Sequence, residues 1–356
     1  MKVLIVGGAG FVGANLARYF AKKFHDVYCF DNLVRRGSEE NVKDFDNYDN
    51  ITFLHGDIRN SEDFDRISFK PDIVFECSAQ PTAVDGYLNP RYDFTNNTSG
   101  LLNVLEYCRK NDAAVIFWST NKVYSSDVCN SRDTLVHTDR LIWAHKQSTS
   151  LNGFDACHGF SEALTIDGGN HTPYGVTKLS GDLMCQEWAT AFGVRSIVNR
   201  FSCIYGPNQF GMATQGWVVW FMIAKLLDKP LEFCGFGGRQ MRDCLYIDDL
   251  CELVELQANK LVNRQKMNHN VFNVGGGMKH ITSILELSKR LDIMLGTEQI
   301  ITHTEARKSD QKIYISDIRR VCAEFSWEPK TTLDGGLKLT HEWAIKNLDL
   351  LNRIIK

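Results

Sequence analysis

The sequence predicts an α/β fold whose core is a doubly wound parallel sheet, followed by a smaller C-terminal α/β region. Two observations carry this. Val3-Leu4-Ile5-Val6 is continuously apolar, as a strand covered on both faces must be, and it runs into a glycine-rich turn and then a helical pattern. Apolar runs then recur at Asp26–Phe30, Ile51–Leu54, Ile73–Phe75 and Ala114–Phe117, with helical segments between them. Strands alternating with helices build parallel sheets, because each crossover needs a helix to return the chain.

The first turn reads Gly7-Gly8-Ala9-Gly10-Phe11-Val12-Gly13 and opens the helical pattern Leu16 to Ala21. Gly7 and Gly8 allow a tight turn, Gly10 lets backbone approach a pyrophosphate, and Gly13 permits close helix–strand packing. Free N–H groups and the positive dipole end at the helix start suit phosphate. The second run ends at Asp31, about 20 residues on, where a carboxylate accepts both ribose hydroxyls and repels a 2′-phosphate. This predicts a Rossmann-type site for NAD rather than NADP, although Arg35 and Arg36 could accept that phosphate. The later runs end in Gly56-Asp57-Ile58, Ser78-Ala79-Gln80 and Ser119-Thr120, polar segments at the carboxyl ends of strands where ligands bind in such sheets.

Composition narrows the partners. A net charge of -3 gives no reason to expect nucleic acid or an anionic membrane. The eleven cysteines include no C-x-x-C pair, and no cysteine–histidine cluster has zinc-ligand spacing, so no metal is expected. Free thiols and the absence of a secretory leader predict a cytoplasmic protein. No run approaches the roughly 20 apolar residues of a membrane span.

Tyr174 and Lys178 stand four apart, one helical turn from each other. A phenol with pKa of about 10 is a poor base at neutral pH, and a neighbouring ammonium favours its phenolate. Beside a nicotinamide cofactor, that pair can deprotonate a sugar hydroxyl.

With Gly7-x-x-Gly10-x-x-Gly13, Asp31-Asn32, Gly56-Asp57-Ile58, Ser119-Thr120 and Tyr174-x-x-x-Lys178 in order, the chain resembles the extended short-chain dehydrogenases/reductases, and among them the nucleotide-sugar epimerases. Arg200-Phe201, Tyr205-Gly206-Pro207, Gln240 to Asp243, Asp248-Asp249-Leu250 and Asn273 to Gly276 extend the likeness over nearly the whole chain. Three runs, Ser119 to Tyr124, Gln215 to Phe221 and Ser309 to Lys312, are similar to those of the narrower family of CDP-paratose 2-epimerases, also called CDP-tyvelose 2-epimerases.

The resemblance implies Tyr174 as base, Lys178 as its partner and a nicotinamide-ribose ligand, and Thr120 as the third catalytic hydroxyl. Asp57 and Ile58 would hold adenine, and Asn97 would anchor the catalytic lysine. Further cofactor contacts are implied at Phe11, Val12, Asn32, Arg36, Ser78, Ala79, Gln80, Ser119 and Phe201. For the substrate, the resemblance implies Arg242 and Arg307 at the diphosphate, with Tyr124, Cys203, Gln215 and Asp310 completing the site. Plainer readings stand beside some of these. Arg242 could pair with Asp243, Arg307 with Asp310, Cys203 is a small buried hydrophobe, and Glu162 a solvated carboxylate with a substrate contact as the alternative. Trp217, Trp220 and Phe221 recur as a buried helix face does.

The implied reaction is redox-neutral epimerisation through a keto-sugar, at C2 of CDP-paratose in the narrow family. Alternatives are a 4-epimerase of another nucleotide sugar or a net keto-sugar oxidoreductase. Sugar 4,6-dehydratases carry Asp-Glu after this threonine; Asn121-Lys122 cannot replace that acid–base pair. Glu76 stands where the family usually has His, and the polar segment from Ser126 to His171 is expected to border the sugar pocket. The cofactor domain is placed at 1–195, with strands near 196–201 and 245–249 returning to it, and the nucleotide-sugar domain at 202–356. By analogy, pairing of two copies through helices near 97–110 and 174–191 is expected.

Overall fold

The computed structural model describes residues 1–144 and 152–355. Its large sheet has seven strands: β1 (Lys2–Val6), β2 (Asp26–Asp31), β3 (Ile51–His55), β4 (Ile73–Glu76), β5 (Ala114–Thr120), β6 (Ser196–Phe201) and β7 (Val271–Val274). All pairings are parallel, in the order β7-β6-β5-β4-β1-β2-β3. The chain therefore runs outward to one side from β1 and then to the other, which opens a crevice at the carboxyl ends of β1 and β4.

Alternate residues of each strand enter different cores, as a two-residue period requires. Val3, Ile5, Phe75 and Ile116 pack with helix α1 (Phe11–Lys22) on one face. Leu4, Val6, Val74, Val115 and Phe117 pack on the other with helices α2 (Gly100–Asn111) and α3 (Thr172–Phe192). This is why the central strands read as unbroken apolar runs.

The smaller region is built on the strand Met241–Tyr246. It pairs in parallel with Cys203–Tyr205 and Ile313–Tyr314 and antiparallel with Ile281–Ser283. A separate parallel pair joins Leu231–Cys234 to Ile301–Thr304. Residues 245–249 do not return to the large sheet as expected. The strand ending at Tyr246 stays in the small sheet, and the helix Ile247–Val262 crosses to α1 and brings β7 back beside β6. Helices Leu333–Lys346 and Leu348–Ile354 complete this region.

Within the 126–171 segment, the hairpin Thr134–His137/Arg140–Trp143 leans on the smaller region. Leu141 packs with Met241, Ile313 and Ile315, and Trp143 meets Phe154 and Phe160 edge-on. Residues 145–151 lie outside the described residues.

Candidate active site

The glycine turn is a cradle that no side chain fits. A Cβ on Gly13 would collide with the Gly7 carbonyl, and one on Gly7, at φ +75, would lie 2.6 Å from the Ser78 nitrogen. Helix α1 starts here with no side-chain cap and no acidic residue in its first turn, leaving its N–H groups free for phosphate. Gly7, Gly10, Phe11, Val12, Gly13, Asp31, Asn32, Arg36, Ile58, Ser78 and Ala79 line this one groove.

Asp31 ends β2 beside the turn. Its oxygens accept the Ala9 N–H at 3.0 Å and the Leu33 N–H at 2.8 Å, and burial raises its pKa. Asp57 is held below the usual carboxylate range by the two-pronged Arg59 and also accepts from Asn32 at 2.9 Å. Gln215 was expected at the sugar; it lines the cofactor groove instead, accepting from Arg35 at 3.0 Å. The loop that carries it folds back over the turn after β2, where Gly37 faces the Phe210 ring.

Tyr174 and Lys178 project from the first turns of α3. Gly175 lies so close to the Lys122 carbonyl that a Cβ would collide with it, which seats α3 on the turn Asn121–Val123. Thr120, at the end of β5, caps that turn by accepting the Lys122 N–H at 3.3 Å, and its hydroxyl is the side-chain group that acts on the Tyr174 phenol. Burial pushes the phenol up to about 12, Thr120 draws it down and the charge of Asp93 adds to the rise.

Lys178 follows Tyr174 on the same helix. One turn deeper, its ammonium lies 4.3 Å from the Phe117 ring centre and has no hydrogen-bond partner among the described residues. It is 2% exposed. Burial lowers its pKa, and the buried carboxylate of Glu76 opposes that. Glu76 and Phe117 are cross-strand partners in β4 and β5, so their side chains share the face that α3 covers. Glu76 also accepts from the Ser78 backbone at 3.1 Å and from its hydroxyl. An ammonium buried without acceptors fits the hydroxyls of a nicotinamide ribose, and the open glycine cradle fits a pyrophosphate. The residues present therefore suit NAD.

Asn97 reaches α3 at Thr177, at 3.1 Å, rather than at Lys178, and brackets the Gln80 backbone with bonds of 2.9 and 3.2 Å. Gln80 is itself buried, donating to Asp93 at 2.6 Å. Both residues brace the site without lining the groove.

Three expectations are overturned by burial. Tyr124 is 1% exposed, accepts from Arg200 at 3.0 Å and donates to Asn273 at 2.8 Å, so its phenol cannot reach a substrate. Ser119 donates to Asp182, which forms a two-pronged pair with Arg200. The Phe201 ring stacks on Trp118 in the core, 5.6 Å between centres. Glu162 is no solvated carboxylate either; it accepts the Asn273 N–H at 2.7 Å and pairs with Arg320 at 3.3 Å.

On the smaller region, Arg242 binds Asp310 at 2.7 Å rather than Asp243. Arg307 is exposed and donates to the Ala213 carbonyl, not to Asp310. Cys203 accepts from the Trp217 indole at 3.2 Å; a hydrogen bond with Cys244 lowers its thiol pKa. Two residues that sequence reasoning did not place join this group. Lys122 lies 3.2 Å from the Gln311 carbonyl oxygen and 4.0 Å from Asp310. Lys122 sits in the run that distinguishes the chain from dehydratases, and that was the available signal. Among the described residues no group of histidine, cysteine or acidic side chains is arranged to hold a metal.

The comparisons with known proteins decide the family. The NAD dependent epimerase/dehydratase family matches residues 3–275. The chain belongs to that family. It is 33% identical to CDP-paratose 2-epimerase of Salmonella typhi over 97% of this chain and 99% of the relative. It is 26% identical to dTDP-glucose 4,6-dehydratase of Salmonella typhimurium (strain LT2), over 99% and 95%. Among solved structures, the UDP-glucose 4-epimerase of Thermotoga maritima with UDP-glucose superposes with a TM-score of 0.76 at 26% identity, over 98% of this chain and all of that one. The UDP-glucuronic acid 4-epimerase of Bacillus cereus, in complex with UDP-glucuronic acid and NAD, gives 0.76 at 25%, again over 98% and 100%. By this membership the chain is an NAD-dependent nucleotide-sugar epimerase with a Rossmann-type sheet. No helix among the described residues is long and apolar enough to cross a membrane.

Proposed function

We propose that the protein epimerises C2 of CDP-paratose to give CDP-tyvelose. The observation that carries an epimerase over a dehydratase is Lys122: an ammonium turned toward Gln311 stands where dehydration needs a carboxyl. The 33% likeness to a CDP-paratose 2-epimerase along almost the whole chain supports the substrate.

In this reading Tyr174, relayed by Thr120, takes the proton of the C2 hydroxyl and later returns one to the ketone. NAD, when bound, supplies the hydride acceptor and then the donor for the opposite face. Lys178 holds the nicotinamide ribose, Asp31 the adenosine ribose, and the Gly7–Gly13 turn the pyrophosphate. Asp57 and Ile58 flank the adenine, and Arg36 borders the same groove. Arg242 and Arg307 bind the substrate diphosphate, Arg242 exchanging Asp310 for phosphate oxygen. Fixing the carbinol beside the base supplies much of the rate, since orientation is entropy already lost on binding.

We place NAD with residues 1–195 and the returning strand β6, and the nucleotide sugar with 202–356. A homo-oligomer formed through α2 and α3 is supported by Leu102, Val176, Leu183 and Phe192, all exposed on those helices. The free cysteines support a reducing cytoplasm. The test is incubation of the purified protein with CDP-paratose, the sugar being followed by NMR. Inversion at C2 without net NADH release is expected. No change at C2, with turnover of a UDP- or GDP-sugar at C4, would overturn the substrate in favour of a 4-epimerase, and steady NADH turnover would make the protein an oxidoreductase.

A further inference from the structure

Lys122 is a half-buried ammonium that shares one carboxylate, Asp310, with Arg242. It lies in the turn that Thr120 caps, with α3 seated on its carbonyl, so its backbone is fixed within one turn of both reacting side chains. Its stem leaves the large sheet and reaches across to the smaller region. There it meets Gln311 at 3.2 Å and Asp310 at 4.0 Å. Asp310 is already engaged by Arg242 at 2.7 Å, so one carboxylate serves two cations and the ammonium is under-neutralised. Gln311 is fully buried and donates its amide N–H toward the Cys129 sulfur at 3.6 Å, which leaves its carbonyl oxygen aimed at the ammonium. Burial lowers the Lys122 pKa and Asp310 opposes this. An ammonium has three donors, and the pairing with Gln311 leaves capacity for acceptors from a ligand.

We propose that Lys122, propped by Gln311 and Asp310, reads the substrate sugar by donating to the hydroxyl at C4. This rests on the CDP-paratose reading above and deepens it. A 3,6-dideoxyhexose linked through C1 keeps free hydroxyls only at C2 and C4. Tyr174 and Thr120 take the first, and the ammonium two residues past Thr120 takes the second. Lysine suits the task better than arginine. A ketone that turns over within the site presents its C4 hydroxyl in two positions, and a compact charge on a four-carbon stem can follow it where a rigid fork cannot. Lys122 is thus a sugar-positioning residue, while Arg242 serves the diphosphate.

The test separates sugar from nucleotide. CDP and CDP-paratose are titrated calorimetrically into the NAD-loaded protein, wild type and Lys122→Met, with Lys122→Gln as the second variant should the first not fold. The expected result is unchanged CDP affinity and CDP-paratose affinity weakened about ten- to a hundredfold, the range for a lost bond to a charged donor. A Lys122→Arg variant is expected to regain ground-state affinity while kcat stays low. Equal loss of CDP and CDP-paratose would assign Lys122 to the Arg242–Asp310 pairing alone and overturn the proposal, as would wild-type affinity for both ligands. Wild-type protein that binds CDP but gains nothing from the paratose moiety would overturn the substrate reading and this inference with it.

Discussion

Thr120→Val removes one hydroxyl at nearly constant volume and isolates the bond that draws the Tyr174 phenol down. Burial pushes that phenol up to about 12, and Thr120 is the group that opposes the rise. A hydrogen bond to a charged group contributes about 1.5–3 kcal/mol. At about 1.36 kcal/mol per pKa unit, its loss raises the phenol by roughly one to two units. The sign follows directly: a higher pKa leaves less phenolate at any given pH, so the acid limb of the pH–rate profile moves to higher pH. The rate below that limb drops about ten- to a hundredfold. The same hydroxyl caps the Asn121–Val123 turn through the Lys122 N–H, so a stability loss of about 1 kcal/mol accompanies it. The assay is kcat against pH with CDP-paratose, together with the NAD content of the purified protein and its melting temperature. Thr120→Ser keeps the hydroxyl and should keep the acid limb. An acid limb left in place by Thr120→Val would refute the coupling of this threonine to the base.

Tyr174→Phe should lose turnover by several orders of magnitude while NAD stays bound; substantial residual epimerisation would remove the proposed base. Glu76→Gln takes away the carboxylate that supports the buried ammonium of Lys178. Lys178 should then lose its proton at lower pH, and the alkaline limb of kcat/KM should move down; an unmoved limb would disconnect the two residues. Arg200→Met leaves Asp182, which is fully buried, without its partner. Removing one member of such a pair costs about 3–5 kcal/mol, to be read by chemical denaturation, and a loss below about 1 kcal/mol would show the pair to be dispensable. Gly13→Ala drives a Cβ into the Gly7 carbonyl and should lower NAD affinity by at least about tenfold, measured by calorimetry, with the loop forced apart where backbone meets pyrophosphate.

Local chemistry made much of this protein legible from its residues. Continuous apolar runs specified strands covered on both faces, and β1 to β5 lie where those runs stand. The glycine turn and Asp31 meet in one groove because the turn directly follows β1 and Asp31 ends the adjacent strand β2. Residues 245–249 do not return to the large sheet; Leu245 and Tyr246 pair with Ile204 and Tyr205 instead, because local sequence reports burial and not which neighbour a strand pairs with.

The sequence by itself determined what depends on short spans of chain: the parallel alternation, the cofactor turn, and a tyrosine and lysine on one helix. Only the tertiary structure decided where side chains point once distant segments meet. It turned Tyr124 and Ser119 inward onto Arg200 and Asp182 and moved Gln215 to the cofactor groove. It also sent the Lys178 ammonium toward Phe117 and Glu76, and brought Lys122 to Gln311 across 189 positions of chain. Periodicity fixes a side chain's direction only relative to its own helix or strand. Which partner lies in that direction is set by the packing of elements far apart in the chain, and a buried polar group must take whichever partner the packing provides.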